Sequence, residues 1–323
     1  MKLPIADIQE TYQIVGRGDE LTSALISAAA GKHILIEGPV GVGKTTIALA
    51  VASHFQREFE RIDGDERYTE QKLTGWFDPP LVMSKGYSEE SFIQGPLSVA
   101  MISGEILLLN ELNRMPEGAQ NVLLSAMDEK TISIPRYGRI HAKDGFMIIA
   151  TENPDEYIGT SQLSEALKDR FVCIDLDYQS EAEEKEIVRL RSRCEDEDIV
   201  DTSVIFCRLT RTDEDVRRGA SIRGAIDLSD IFYSANGRFT GDVDDWIRCA
   251  KLAFQTKIEL HDFSHRGFME LMKRLAQRAI SEQKGRAAAP KSIRRDSPSS
   301  HLTTPASAEA IAKKKSKSIP TGS

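Results

Sequence analysis

The string GPVGVGKT, Gly38 to Thr45, constrains this chain more than any other feature. Gly38, Gly41 and Gly43 let the backbone curl until successive N–H groups turn toward one point. Pro39, Val40 and Val42 complete the loop. Lys44 adds a mobile positive charge, and the Thr45 hydroxyl, followed by Thr46, is suited to ligate a divalent cation. Such a loop functions between a strand and a helix, because the helix N-terminus directs its positive end at the same anion. Both flanks are present: HILIE at 33–37 is a short apolar run, and TTIALAVASHFQ carries small and apolar residues at helical spacing. The combination predicts a phosphate-binding loop for ATP with Mg2+.

Further apolar runs recur downstream, at Phe59 to Ile62, Glu105 to Leu109 (EILLL), Phe146 to Thr151 (FMIIAT) and Phe171 to Leu176 (FVCIDL). Helical patterns such as Glu117 to Asp128 lie between them. Strands alternating with helices predict an α/β fold, a parallel sheet covered on both faces. After Gln179 the pattern turns helical, as in AEEKEIVRLRSR and GFMELMKRLAQRAI, with little strand signal. From Lys284 onward Ala, Pro, Ser and Lys dominate. The expected organisation is an αβα nucleotide-binding domain over 1–179, an all-helical lid over 180–283, and a disordered basic tail over 284–323.

Charge divides along the same line. The chain of 323 residues carries −8. Lys284 to Ser323 holds nine Lys or Arg and two Asp or Glu, a net of +7, so the preceding 283 residues carry −15. An acidic body argues against nucleic acid as its main partner. The tail's KKKSK reads as a solvated run, with an acidic partner or nucleic acid as the alternative. No stretch approaches 18 consecutive apolar residues, so no membrane span is expected. The start, MKLPIADIQE, lacks the apolar core of a signal peptide, and a cytoplasmic location is expected. Cys173, Cys194, Cys207 and Cys249 form no CxxC pair, which predicts free thiols rather than a metal site or disulfide framework. His261 and His265 have i, i+4 spacing, but no third ligand accompanies them, so histidines on a helix surface are expected.

Polar residues stand where strands end. In LLLNEL, Asn110 and Glu111 follow apolar strand residues, the place of the Mg2+ and water side of such a site. Glu111 is suited to orient and activate a water. Asn110 offers a carbonyl oxygen to the metal shell but no charge. Asn153, in ATENP, sits at the carboxyl edge of a strand, where ligands bind in open α/β sheets. Its neutral amide suits a water or a γ-phosphate, although Asn-Pro is also a common turn. Arg170, in LSEALKDRF, has two readings: a finger reaching a neighbouring subunit's γ-phosphate, or a surface salt bridge with Asp169 or Glu165. Arg223, in GASIRGAIDL, lies near a helix start and is placed to touch phosphate from the lid side.

In this order and spacing, these elements resemble the AAA+ ATPases, and within them the MoxR branch, over about residues 10–270. The strings that carry the resemblance are HILIEGPVGVGKTTIA, FIQGPLSVAMISGEILLLNELNRMPEGAQNVLLSAMDE, FMIIATENPDEYIGTSQLSEALKDRF and GASIRGA. The resemblance implies Walker B roles for Asn110 and Glu111, sensor 1 for Asn153, a trans-acting arginine finger for Arg170 and sensor 2 for Arg223. Ile14, Val15 and Gly16, in IVGRGDEL, match the segment that lines adenine in the family. Two hairpins are implied, one inserted around residues 76–95 and a pre-sensor hairpin in TISIPRYGRIHAKDG turning at Tyr137–Gly138; such hairpins face a central pore or a client. The family further implies a homo-oligomeric ring, a hexamer, and chaperone-like remodelling or maturation of a partner, often a von Willebrand A-type protein. The chain departs from the family at Asn110, where Asp is usual, and at Val40, where Pro is frequent. A DNA-processing AAA+ protein and a slow, nucleotide-gated scaffold are the alternatives, the second favoured by Asn110.

Overall fold

The computed structural model describes residues 4–55, 58–154, 162–262 and 267–288. The apolar runs become the strands of one parallel sheet: β1 (His33–Glu37), β2 (Phe59–Asp63), β3 (Ile106–Asn110), β4 (Met147–Glu152) and β5 (Phe171–Asp175). Their spatial order is β2-β3-β4-β1-β5. The runs are continuous rather than alternating because both faces of the sheet are covered. Leu35, Leu107, Leu109, Ile148 and Ala150 enter one core, while Ile34, Ile36, Ile106, Leu108, Met147 and Ile149 enter the other. The third strand is one residue later than expected. Asn110 therefore belongs to the ladder, where it pairs with Asp63 of β2.

Helix α1 (Lys44–His54) opens at Lys44, with Gly43 capping it at φ +95°. Ala48, Ala50 and Ala52 are fully buried along α1, and their small side chains let it lie close to the sheet. Helix α2 (Glu117–Asp128) follows β3, as its periodicity predicts. After it, Thr131–Ile134 pairs antiparallel with Gly138–His141. Ile134 lies opposite Gly138, so the turn falls on Pro135, Arg136 and Tyr137, one step earlier than expected. Arg136 takes up φ +67° in that turn.

The insertion near 76–95 is more elaborate than a hairpin. Gly75–Phe77 pairs with Phe92–Gln94 around a short helix, Pro79–Lys85. Asp78 caps that helix, its carboxylate accepting from the Leu81 N–H at 3.0 Å. Two prolines occupy the first turn, where no intrahelical N–H is needed. Phe92 stacks on Tyr137 with ring centroids 4.1 Å apart, joining the insertion to the second hairpin.

Beyond residue 180 the chain forms a helical bundle: α3 (Glu181–Arg191), α4 (Glu197–Thr212), α5 (Ile222–Asn236), α6 (Val243–Phe254) and α7 (Phe268–Ala288). The bundle has its own core, in which Phe232 stacks on Trp246 at 3.9 Å and Phe206 on Phe254 at 5.2 Å. Gly224 of α5 is needed there, since a Cβ would lie 2.6 Å from the Phe254 ring. A two-stranded ribbon, Val216–Arg218 with Glu259–Leu260, is strand content that the helical periodicity concealed. The described residues as far as Arg286 form one compact unit. His261 follows the ribbon; His265 and the tail from residue 289, with its KKKSK run, lie outside the described residues. All four cysteines are free, Cys173 exposed and the others buried. Among the described residues, no helix is long and apolar enough to cross a membrane.

Candidate nucleotide site

A cavity of about 390 Å³ opens where the carboxyl ends of β1, β3 and β4 meet the helical bundle. Val40, Gly41, Val42, Gly43, Lys44, Thr45 and Thr46 form its floor. Gly41 (φ +83°) holds a conformation that side chains rarely adopt, and a Cβ there would lie 2.5 Å from that of Ser221. The loop thus touches the bundle directly. Gly38 stands behind the cavity, where its φ of +145° and the Leu176 carbonyl, 2.1 Å from a hypothetical Cβ, leave no room for a side chain. Gly38 and Pro39 contribute carbonyls: the Lys44 ammonium donates to Gly38 O at 2.5 Å and to Pro39 O at 2.8 Å.

Asn110 and Glu111 border the floor. Thr45 Oγ1 donates to Asn110 Oδ1 at 2.8 Å, and Thr151 Oγ1 donates to the same oxygen at 2.9 Å. Hard oxygen donors from Thr45 and Asn110 therefore converge at one point, a donor set that fits Mg2+. Glu111 has left-handed backbone angles (φ +56°, ψ +52°), which for a residue with a Cβ costs roughly 1–2 kcal/mol. Its N–H donates to Thr151 Oγ1 at 3.0 Å, and its carboxylate pairs with Arg114 Nε at 2.9 Å. Gly64 makes this turn possible, because a Cβ there would sit 2.1 Å from the Glu111 carbonyl. Asn153 lines the cavity and is buried; its carbonyl accepts from Asn113 Nδ2 at 3.1 Å. Next to it, burial pushes the Glu152 carboxyl up, opposed by Lys168 at 3.6 Å.

Arg223 reaches the cavity from the bundle, and Ile14 and Val15 from the N-terminal segment. Ile187, Ile222 and Ile226 extend the apolar wall, and Gln13, Arg17, Gln179 and Arg191 add polar groups. Gln179 Nε2 donates to the Val15 carbonyl at 2.5 Å, tying that segment to the end of the sheet domain. Gly16 does not line the cavity. A Cβ there would fall 2.0 Å from Glu183 Oε1, so Gly16 is a packing glycine between the N-terminal segment and α3.

Arg17 was not predicted from sequence, yet it ties the phosphate loop to the segment after β5. Its guanidinium donates to Asp177 O at 2.5 Å, to Val42 O in the loop at 3.2 Å and to Glu20 at 2.8 Å.

Arg170 lies elsewhere. It immediately precedes Phe171, whose register partner is His33, the first residue of β1; the phosphate loop leaves from the other end of that strand. Its guanidinium pairs with Asp128 at 2.5 Å and donates to the Ala166 carbonyl. Within one subunit the guanidinium therefore makes an ion pair, with Asp128 at the end of α2 as acceptor in place of the expected Asp169 or Glu165.

Comparison with known proteins agrees with this geometry. Residues 33–171 match the family described as the AAA domain (dynein-related subfamily). The chain is 31% identical to the uncharacterized protein YojN of Bacillus subtilis over 217 residues, 65% of this chain and 70% of that protein. The chain belongs to this AAA family. Another relative is the gas vesicle ATPase GvpN of Haloferax mediterranei, 31% identical over 214 residues, 61% of this chain and 60% of GvpN. A RuvB mutant of Thermotoga maritima shares the fold: TM-score 0.50 and 19% identity, over 74% of this chain and 71% of that one. Nucleotide binding is what an AAA domain implies, and the cavity at the phosphate loop is where this one offers it. The matched span runs from β1 to the first residue of β5, so the loop, Asn110, Glu111 and Asn153 fall within it while Arg223 and the bundle lie beyond.

Proposed function

We propose that this AAA protein is an ATP-hydrolysing motor of the MoxR type that remodels or matures a partner protein in the cytoplasm. The observation that carries the reading is the convergence of Lys44, Thr45, Asn110, Glu111, Asn153 and Arg223 on one cavity. The loop amides and Lys44 would hold the phosphates, and Ile14, Val15, Ile187 and Ile226 would enclose the base. Thr45 and Asn110 would hold Mg2+, which when bound neutralises phosphate charge. Glu111 takes the role of the base that orients and deprotonates a water, with Asn153 holding that water or the γ-phosphate.

In this reading residues 1–179 are the nucleotide domain and 180–283 the lid, whose last helix runs on to Ala288 into the segment 284–323 expected as a tail, so that the basic tail proper starts at residue 289. Arg170 acts on a neighbour's nucleotide in a homo-oligomeric ring, a hexamer; its position at the opposite edge of the sheet supports a role in trans over one in its own site. A client of von Willebrand A type follows from the MoxR resemblance. A slower, nucleotide-gated scaffold is the second reading. Asn110 favours it, as does the Arg114–Glu111 ion pair, which occupies the proposed base.

The test is phosphate release with Mg2+. Glu111→Gln should keep ATP affinity and lose turnover by roughly 10²-fold or more. A wild-type chain that binds ATP but releases no phosphate, alone or in rings, would establish the scaffold instead.

A further inference from the structure

The missing charge at Asn110 has a source one strand away. Asp63 ends β2 directly opposite Asn110 in the β2–β3 register. Asn110 Nδ2 donates to Asp63 Oδ1 at 3.0 Å, while Asn110 Oδ1 receives the Thr45 and Thr151 hydroxyls. The two ends of an amide are not equivalent: the carbonyl end attracts a cation or its bound water, and the NH2 end repels both. The two threonine hydroxyls can donate or accept, so on their own they would leave the amide free to turn over. A carboxylate at neutral pH only accepts, and it therefore holds the NH2 end toward β2 and the carbonyl toward Thr45. It also brings a formal negative charge next to Asn110, which lines the cavity. Arg61 shares the same Asp63 oxygen at 2.9 Å; the side chains are substantially exposed, 43% and 62%, so solvent screens that pair and the field of Asp63 alike, and the hydrogen bond that fixes the amide is the larger part of its effect.

We propose that Asp63 is a positioning residue for the divalent cation. It orients the Asn110 carbonyl and supplies, from the neighbouring strand, the charge that an Asp at position 110 would carry. The proposal rests on the nucleotide reading of the cavity. It makes the Asp63–Asn110 pair a divided counterpart of a single carboxylate, with charge on β2 and the metal-facing oxygen on β3.

The experiment uses the full chain and two probes, a non-hydrolysable ATP analogue titrated in EDTA and Mn2+ titrated by electron paramagnetic resonance with that analogue present. Asp63→Asn should weaken Mn2+ by roughly tenfold, the scale of an outer-shell partner of a metal ligand. Analogue affinity in EDTA should stay within about twofold, because phosphate contacts are untouched. The exchange variant, Asp63→Asn with Asn110→Asp, returns the charge to β3 and should recover most of the Mn2+ affinity. A role in folding alone predicts no such recovery. Unchanged Mn2+ affinity in Asp63→Asn overturns the assignment, and so does an exchange variant as weak as the single one. A wild-type chain that binds no analogue in EDTA overturns the nucleotide reading, and the assignment of Asp63 with it.

Discussion

Arg17 shows how one side chain at the cavity wall can also brace the binding loop from behind the loop's own backbone. It is 9% exposed and sits at φ +61°, a conformation it adopts because its guanidinium closes onto the carbonyls of Val42 and Asp177. Charge-assisted bonds of this kind are stronger than neutral ones. Arg17→Ala keeps the same backbone preference, since both residues carry a Cβ, and so isolates the loss of the side chain. The variant should lose about 1–3 kcal/mol of stability, the cost of leaving partners unmet, with ATP affinity falling as the loop loosens. Urea unfolding and calorimetry check this; an unchanged unfolding midpoint with unchanged affinity would mean that Arg17 is a bystander. The same economy of contacts appears at Thr151, whose hydroxyl accepts the Glu111 N–H and donates to Asn110, holding the end of β3 from β4.

Among the elements, β1 carries the most consequence because the phosphate loop leaves from its end. Its first residue, His33, is half-buried against Phe146 and Phe171, and its Nδ1 accepts the Ile148 N–H of β4 at 3.0 Å. Burial lowers its pKa to about 4; Lys130 and Lys32 push the same way, and Asp128 opposes them. A depressed pKa means that the unfolded chain, with an ordinary value of 6.5, binds the proton more readily than the folded one. This contribution to stability is therefore complete above pH 6.5 and is lost as the pH falls toward about 4. The slope approaches roughly 1 kcal/mol per pH unit within that window. His33→Asn can keep an acceptor for Ile148 without titrating, so its melting temperature should change less between pH 6.5 and 4 than that of the wild type. Parallel curves for the two proteins would show that the acid limb belongs to other groups.

At the scale of the whole molecule, the sheet separates the cavity from Arg170. The cavity lies at its carboxyl edge and Arg170 at the other, where Asp128 holds it. If Arg170 completes a neighbour's site, turnover should rise with protein concentration as rings form, and Arg170→Ala should lose turnover while binding ATP and folding normally. Mixing Glu111→Gln with Arg170→Ala provides the sharper test. Some interfaces in a mixed ring pair an intact Glu111 with an intact Arg170 from the next subunit, and these should regain phosphate release. No recovery at any ratio, with mixed rings verified by native mass spectrometry, would leave Arg170 as the ion-pair partner of Asp128 and nothing more.

The division between what was legible in the sequence and what was not follows the range of the forces involved. The phosphate loop, the five strands, the start of α1 at Lys44 and the extent of α2 were legible because each depends on residues a few positions apart: glycines that free φ, apolar runs buried on both faces, helical spacing. That Asn110, Glu111 and Asn153 end strands was legible for the same reason, and all three reach the cavity. Contacts between distant segments were not. Asp63 meets Asn110 across 47 residues, Arg170 meets Asp128 across 42, and Arg17 meets Asp177 across 160. The first follows from the register of β2 on β3; the other two join helix and loop ends that the fold brings together off the sheet. None is written in a local pattern, because period-two burial states which faces of a strand are covered but not which strand lies beside it. The sequence by itself determined that this chain builds a phosphate-binding α/β domain with polar residues at its strand ends. Only the tertiary structure decided which carboxylate stands beside Asn110, that Gly16 packs rather than lines the cavity, and that Arg170 lies at the far edge from its own phosphate loop.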